Sequence, residues 1–152
     1  MIQRKQSLWL LIAALLNAGV FLFDLYKYDK SVLQPLLDKQ VPVAHAEVLR
    51  VSNDFMLMIL ALLMIALPLI TIFMYKNRKQ QILIVYGCIL SAAAFIGMAL
   101  VRVNAVKAVL VAGSESYRIG LVLPVVSVVF LVLAIIGIRA DDKLVKSVDR
   151  LR

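Results

Sequence analysis

Four long runs without a single Asp, Glu, Lys, Arg or His divide the chain: about Leu8 to Phe23, Phe55 to Tyr75, Ile82 to Val101 and Ile119 to Ile138. A bilayer core about 30 Å thick needs roughly 20 apolar helical residues to cross it. The last three runs are that long, and the first reaches it only by borrowing flanking residues. The fourth run is rich in β-branched residues yet lacks the polar alternation of a barrel strand, so it too is read as a helix. The pattern predicts an all-α membrane protein: a four-transmembrane-helix bundle.

Polar and basic segments fall between these runs. Arg4 and Lys5 precede the first, Lys76, Asn77, Arg78 and Lys79 form a short turn between the second and third, and Arg139, Lys143, Lys146, Arg150 and Arg152 follow the fourth. Short loops rich in Lys and Arg stay cytoplasmic, which puts all three on that side with both termini. The opposite side takes a long first loop, about Asp24 to Asp54, and a second, Arg102 to Arg118. Aromatic residues agree: Trp9, Tyr75 and Tyr86 lie near the cytoplasmic interface, Tyr26, Tyr28 and Tyr117 near the other. The first run also fits a signal peptide, but Asn17, Ala18 and Gly19 offer a poor cleavage region, and it is read as a retained helix.

The first loop carries Pro35 and Pro42 among mixed apolar and charged residues and is expected to be partly ordered. Ser31 to Leu37 suits a short surface helix, and Val48 to Val51 is β-prone. The second loop holds an apolar patch of Val106, Val109, Leu110 and Val111 before Gly113, so a small sheet between the two loops is one arrangement the pattern admits.

Within the spans, a few residues break the apolar monotony. Pro68 removes a backbone donor inside the second run and predicts a kink near Leu67, with neighbours satisfying the freed carbonyl. Pro124 falls near the first turn of the fourth, where proline disturbs little. In the third run, Gly87 with Ser91 and Ala93 with Gly97 have the four-residue spacing that lets helices approach closely, read as an internal packing face, with a homo-oligomer contact as the alternative. Asn17, the most polar residue at bilayer depth, should face the bundle.

At 152 residues, 63% hydrophobic and with a mean hydropathy of +0.95, the chain has room for one span bundle, 1–152, and no separate catalytic unit. A net charge of +8 is read as a topology signal and as attraction to anionic headgroups rather than to nucleic acid. The single cysteine, Cys88, is a small packing residue, and the single histidine, His45, makes no multidentate metal cluster with scattered carboxylates. Proton pumps, ion-coupled carriers and voltage sensors keep charges within their spans, and these spans have none. Nor do Ser91, Ser127 or Thr71 have a base within the runs to activate them. No cofactor, metal or catalytic residue is expected.

Beyond Arg139, Leu144, Val145, Val148 and Leu151 recur at helical spacing among Lys143, Lys146, Asp149 and Arg150, with Asp141 or Asp142 able to cap the start. A short amphipathic helix over this cytoplasmic tail, 139–152, follows, lying on the inner leaflet or docking on a partner.

Three stretches, MIQRKQSLWLL, TIFMYKNRKQQ and LPVVSVVFLVLAIIGIRADDKLVKSVDRLR, resemble a four-span bacterial membrane family, domain of unknown function 4293. The resemblance implies four spans and an inner-membrane location in bacteria of the Bacteroidota type, and no activity. Its recurrent pieces fall on Lys76 to Lys79 and on Asp142 to Arg152. The expectation is a non-enzymatic accessory or scaffold subunit of a larger membrane assembly. Its contact surface would be Lys76, Asn77, Arg78, Lys79, Lys143, Lys146 and Arg150. The alternative is a binder or carrier of lipid or a small hydrophobic ligand, in a cavity beside Pro68 and the small residues of span three. An enzyme, ranked third, would have to use His45, Glu47 and loop carboxylates.

Overall fold

A computed structural model describes residues 5–29, 46–74, 77–107 and 116–149. Four helices, α1 (Lys5–Gly19), α2 (Phe55–Phe73), α3 (Arg78–Lys107) and α4 (Val122–Asp149), form a ring in which each packs on two neighbours and α1 lies most closely on α4. Strands β1 (Tyr26–Asp29), β2 (Ala46–Leu49) and β3 (Ser116–Tyr117) close one end as an antiparallel sheet in the order β2-β1-β3, with Tyr26 opposite both Leu49 and Tyr117. The two loops thus do meet in a small sheet. Ser31 to Leu37, Pro35, Pro42 and His45 lie outside the described residues.

Phe55–Phe73, Arg78–Lys107 and Ile119–Leu144 are long and apolar enough to cross a membrane; Gln6–Gly19 is a shorter apolar helix. The outer surface is unlike that of a water-soluble bundle. Large apolar side chains such as Leu15, Leu22, Phe55, Phe73, Leu83 and Leu90 point outward, while Gln6, Asn17, Thr71, Gln81 and Ser127 are buried. This is the arrangement hydrocarbon demands, because lipid solvates Leu well and an amide badly.

Helix ends follow local chemistry. The Asp54 carboxylate accepts from the backbone N–H of Met56 and Leu57 at 2.9 and 3.3 Å, capping α2. At Gly19, α1 gives way to a turn in which the N–H groups of Leu22 and Phe23 both donate to its carbonyl. Gly120, in a short 3-10 turn ahead of α4, donates to the Asp24 carbonyl, and a Cβ there would stand 2.6 Å from that oxygen.

The helix core has two apolar clusters, one under the sheet around Leu57, Met64, Phe95 and Ala99, the other toward the far end around Leu10, Val85, Cys88, Leu131 and Ile138. The inward stripe of α3 is Gln81, Val85, Cys88, Ala92, Phe95, Ala99 and Val103. This corrects the packing face expected of Gly87, Ser91, Ala93 and Gly97. Ala93 and Gly97 are exposed, and a Cβ added at Gly87 or Gly97 would meet nothing within 4 Å. Ser91 donates to the Cys88 carbonyl of its own helix at 2.8 Å. Close approach comes instead from the buried alanines 13, 14, 61, 92, 99 and 134, and from glycines on the α1–α4 seam. A Cβ at Gly19 would reach Leu123 at 3.1 Å, and one at Gly137 would reach Gln6 at 3.3 Å.

Two boundaries also differ. The third helix runs on through Arg102 to Lys107, so the start of the second loop is helical. The tail is no separate amphipathic helix: α4 continues unbroken through Asp149, and Asp141 and Asp142 are internal helical residues rather than caps. Neither Gly nor Pro stands between Gly137 and Asp149 to stop it.

Candidate functional site

The polar residues buried between the apolar helices form a joint. Pro68, buried within α2, has no N–H for the carbonyl of Met64 four residues earlier. The Asn17 side-chain Nδ2 donates to that oxygen at 3.0 Å from α1. The freed carbonyl of the proline is thereby satisfied by the one amide in the first apolar run. One turn on, the Thr71 hydroxyl donates to the Leu67 carbonyl at 2.7 Å, and Gln81 Nε2 donates to the Thr71 carbonyl at 3.3 Å, tying α3 to α2. The signal for the first bond lay in the sequence as two separate oddities, Asn17 and Pro68, whose pairing needs the helix register.

At the bundle end away from the sheet stand the residues expected to make a contact. Arg78 turns inward: its Nη1 donates to the Asp141 carbonyl at 2.7 Å and lies 3.9 Å from the Asp142 carboxylate, with the side chain only 18% exposed. It staples the start of α3 to the last third of α4. Asn77 donates to the Gln80 side chain at 3.1 Å and is exposed, as are Lys79 and Lys143. Arg139 donates to the Tyr86 hydroxyl at 2.7 Å. Lys146 lies on the helical backbone of α4, and Lys76 and Arg150 lie outside the described residues.

At the sheet end two ion pairs form. Arg50 meets Asp24 at 2.6 Å, and Arg102 meets the α2-capping Asp54 at 2.6 Å. Lys107 donates to the Tyr117 hydroxyl at 3.0 Å and sits 4.8 Å from that ring's centre. Tyr26 is fully buried, its ring edge-on to Tyr117 at 5.5 Å. A cavity of about 350 Å³ opens between α3 and α4 just below, lined by Ile96, Leu100, Leu121, Val122 and Val125 with Tyr117 and Arg118 at its rim. This is a different seam from the one beside Pro68 and the small residues of span three, where a cavity was expected. Among the described residues no three His, Cys, Asp or Glu side chains converge as a metal site would require.

The fold and its buried polar joints define a helical bundle with membrane-spanning character and a small sheet cap. The chain belongs to the domain of unknown function family DUF4293, which it matches over residues 2–151. No curated protein and no solved structure matches it significantly.

Proposed function

We propose that this protein is a four-span subunit of the bacterial inner (cytoplasmic) membrane, with both termini cytoplasmic, that acts without catalysis of its own as an accessory or scaffold in a larger membrane assembly. Support for α1 as the fourth span comes from its neighbours. Gln6 lies at Gly137 and Gly19 at Leu123, so α1 runs alongside the apolar length of α4 from end to end. At 15 residues it is about 22 Å long, and the exposed Phe21, Leu22 and Phe23 extend its apolar reach toward the interface.

The observation that carries the contact reading is the length of α4. Its 28 residues make a helix about 42 Å long, more than the bilayer core requires. Past the Arg78 staple at Asp141 it continues for two turns with Lys143 exposed and Leu144 66% exposed. This is a basic and apolar peg continuous with the bundle helix beneath it. Arg78 fixes the peg, and Lys79 and Lys143 are exposed cations placed to meet a partner or anionic headgroups.

The test is the native mass and partner content of the protein extracted in mild detergent through a tag in the first loop, with both termini free. A stoichiometric partner that is lost when Leu144 to Arg152 are deleted is the expected result. A lone monomer or homodimer, unchanged by that deletion, overturns the proposal.

A further inference from the structure

The α3–α4 cavity joins two features that need one explanation. Its walls, Ile96, Leu100, Leu121, Val122 and Val125, are aliphatic, and it opens sideways between two of the helices apolar enough to lie in a membrane. At its sheet-end rim stands Arg118, exposed, at the point where the chain leaves β3 for the first turn before α4. The described carboxylates Asp24 and Asp54 at this end are engaged by Arg50 and Arg102, and none among the described residues pairs with Arg118. Ala93, two helical turns from Leu100 on the same side of α3, is small and exposed.

We propose that this seam is a glycerophospholipid site, in which one acyl chain lies in the cavity against α3 and α4 and the Arg118 guanidinium holds the phosphate at the membrane interface. Guanidinium meets phosphate with two parallel charge-assisted hydrogen bonds, and Arg118 is free to supply both. The volume lies at the small end of ligand sites, which suits a single chain rather than a whole lipid. A free phosphate would find no second partner on these aliphatic walls. A second copy of the chain would bring another Arg118 to the seam and bury an unpaired cation, which is unfavourable. The site requires the membrane setting alone and is independent of the accessory-subunit reading.

Native mass spectrometry of the full chain from detergent, titrated with phosphatidylglycerol and with diacylglycerol of the same chains, tests it. One phosphatidylglycerol per chain should survive activation, with diacylglycerol held much more weakly. Arg118→Ala should weaken phosphatidylglycerol roughly tenfold or more and erase the preference over diacylglycerol, while Arg118→Lys retains part of it. Val125→Trp, which fills the cavity, should remove both lipids. Equal retention of phosphatidylglycerol by wild type and Arg118→Ala overturns the proposal, since the lipid is then general annular lipid. So does a Val125→Trp variant that loses a dimer but keeps its lipid, which makes the seam a contact between copies. Arg118 is exposed and its one bond to the core, to the Leu25 carbonyl at 3.1 Å, comes from its backbone N–H, so its side-chain variants carry the test even where Val125→Trp folds poorly.

Discussion

Replacing Asn17 with Ala, alone and together with Pro68→Ala, measures the joint at bilayer depth. In the native chain the Met64 carbonyl has lost its helix donor to Pro68 and receives Asn17 Nδ2 instead, at 3.0 Å in a site where Asn17 is 1% exposed. An interhelical hydrogen bond within a membrane is worth about 0.6 kcal/mol on average and about 1.7 at most. A carbonyl stranded in an apolar interior adds about 1–3 kcal/mol of penalty. Against this, the Asn17 Oδ1 is itself buried with no partner, and the substitution removes that burden. The balance predicts that Asn17→Ala destabilises the bundle by about 1 kcal/mol. In a Pro68→Ala background the restored N–H at position 68 returns to Met64, so Asn17 loses its sole customer. There the same Asn17→Ala change should be neutral or slightly stabilising. The assay is reversible unfolding in mixed micelles by titration with sodium dodecyl sulfate, followed by fluorescence of Trp9, which packs against Phe130. A coupling of about 1 kcal/mol stands clear of the 0.3–0.5 kcal/mol scatter of independent sites. Equal losses in the two backgrounds would refute the reasoning, because Asn17 would then act through something other than the proline's freed carbonyl.

Three other perturbations read different parts of the fold. Gly120→Ala should lower the unfolding midpoint by at least about 1–3 kcal/mol equivalent, because its Cβ would collide with the Asp24 backbone at 2.6 Å. Gly97→Ala, with nothing within 4 Å, should stay within about 0.5 kcal/mol in the same assay. Asp54→Ala should cost about 1 kcal/mol or more through the lost α2 cap, whereas Arg102→Ala, removing only the half-exposed ion-pair partner, should cost about 0–1 kcal/mol; a reversed order would show that the pair outweighs the cap. Cys88, 1% exposed in the far-end cluster, should resist a maleimide until the bundle opens, and rapid labelling in the folded state would contradict its position.

The helices were legible because length and the absence of charge are properties of each run taken alone. The meeting of the two loops in a sheet was legible only as one arrangement, because strands of four and two residues carry too little pattern to specify their partners. What could not be read was azimuth, the direction each helix turns its faces. A helix apolar all round has no polar stripe to point away from the core, so small residues became the guide, and Gly87, Ala93 and Gly97 misled. A small side chain permits a close contact without requiring one. Ala92 and Ala99 are as small, and they are the ones turned inward beside Phe95. An amide is a better compass in lipid, because hydrocarbon can satisfy neither its donors nor its acceptor. Asn17 was correctly expected to face the bundle on that ground, and Gln6 and Gln81 obey the same rule although they sit beside basic segments where water would have accepted them. The same logic explains the Arg78 surprise. A cation at the start of α3 looks from sequence like a topology signal, but a carbonyl and a carboxylate of the long α4 lie within its reach, and the continuation of α4 as one helix was hidden by the change in composition at Arg139. Helix continuity depends on the absence of a breaker rather than on hydropathy, and between Gly137 and Asp149 there is no breaker to find.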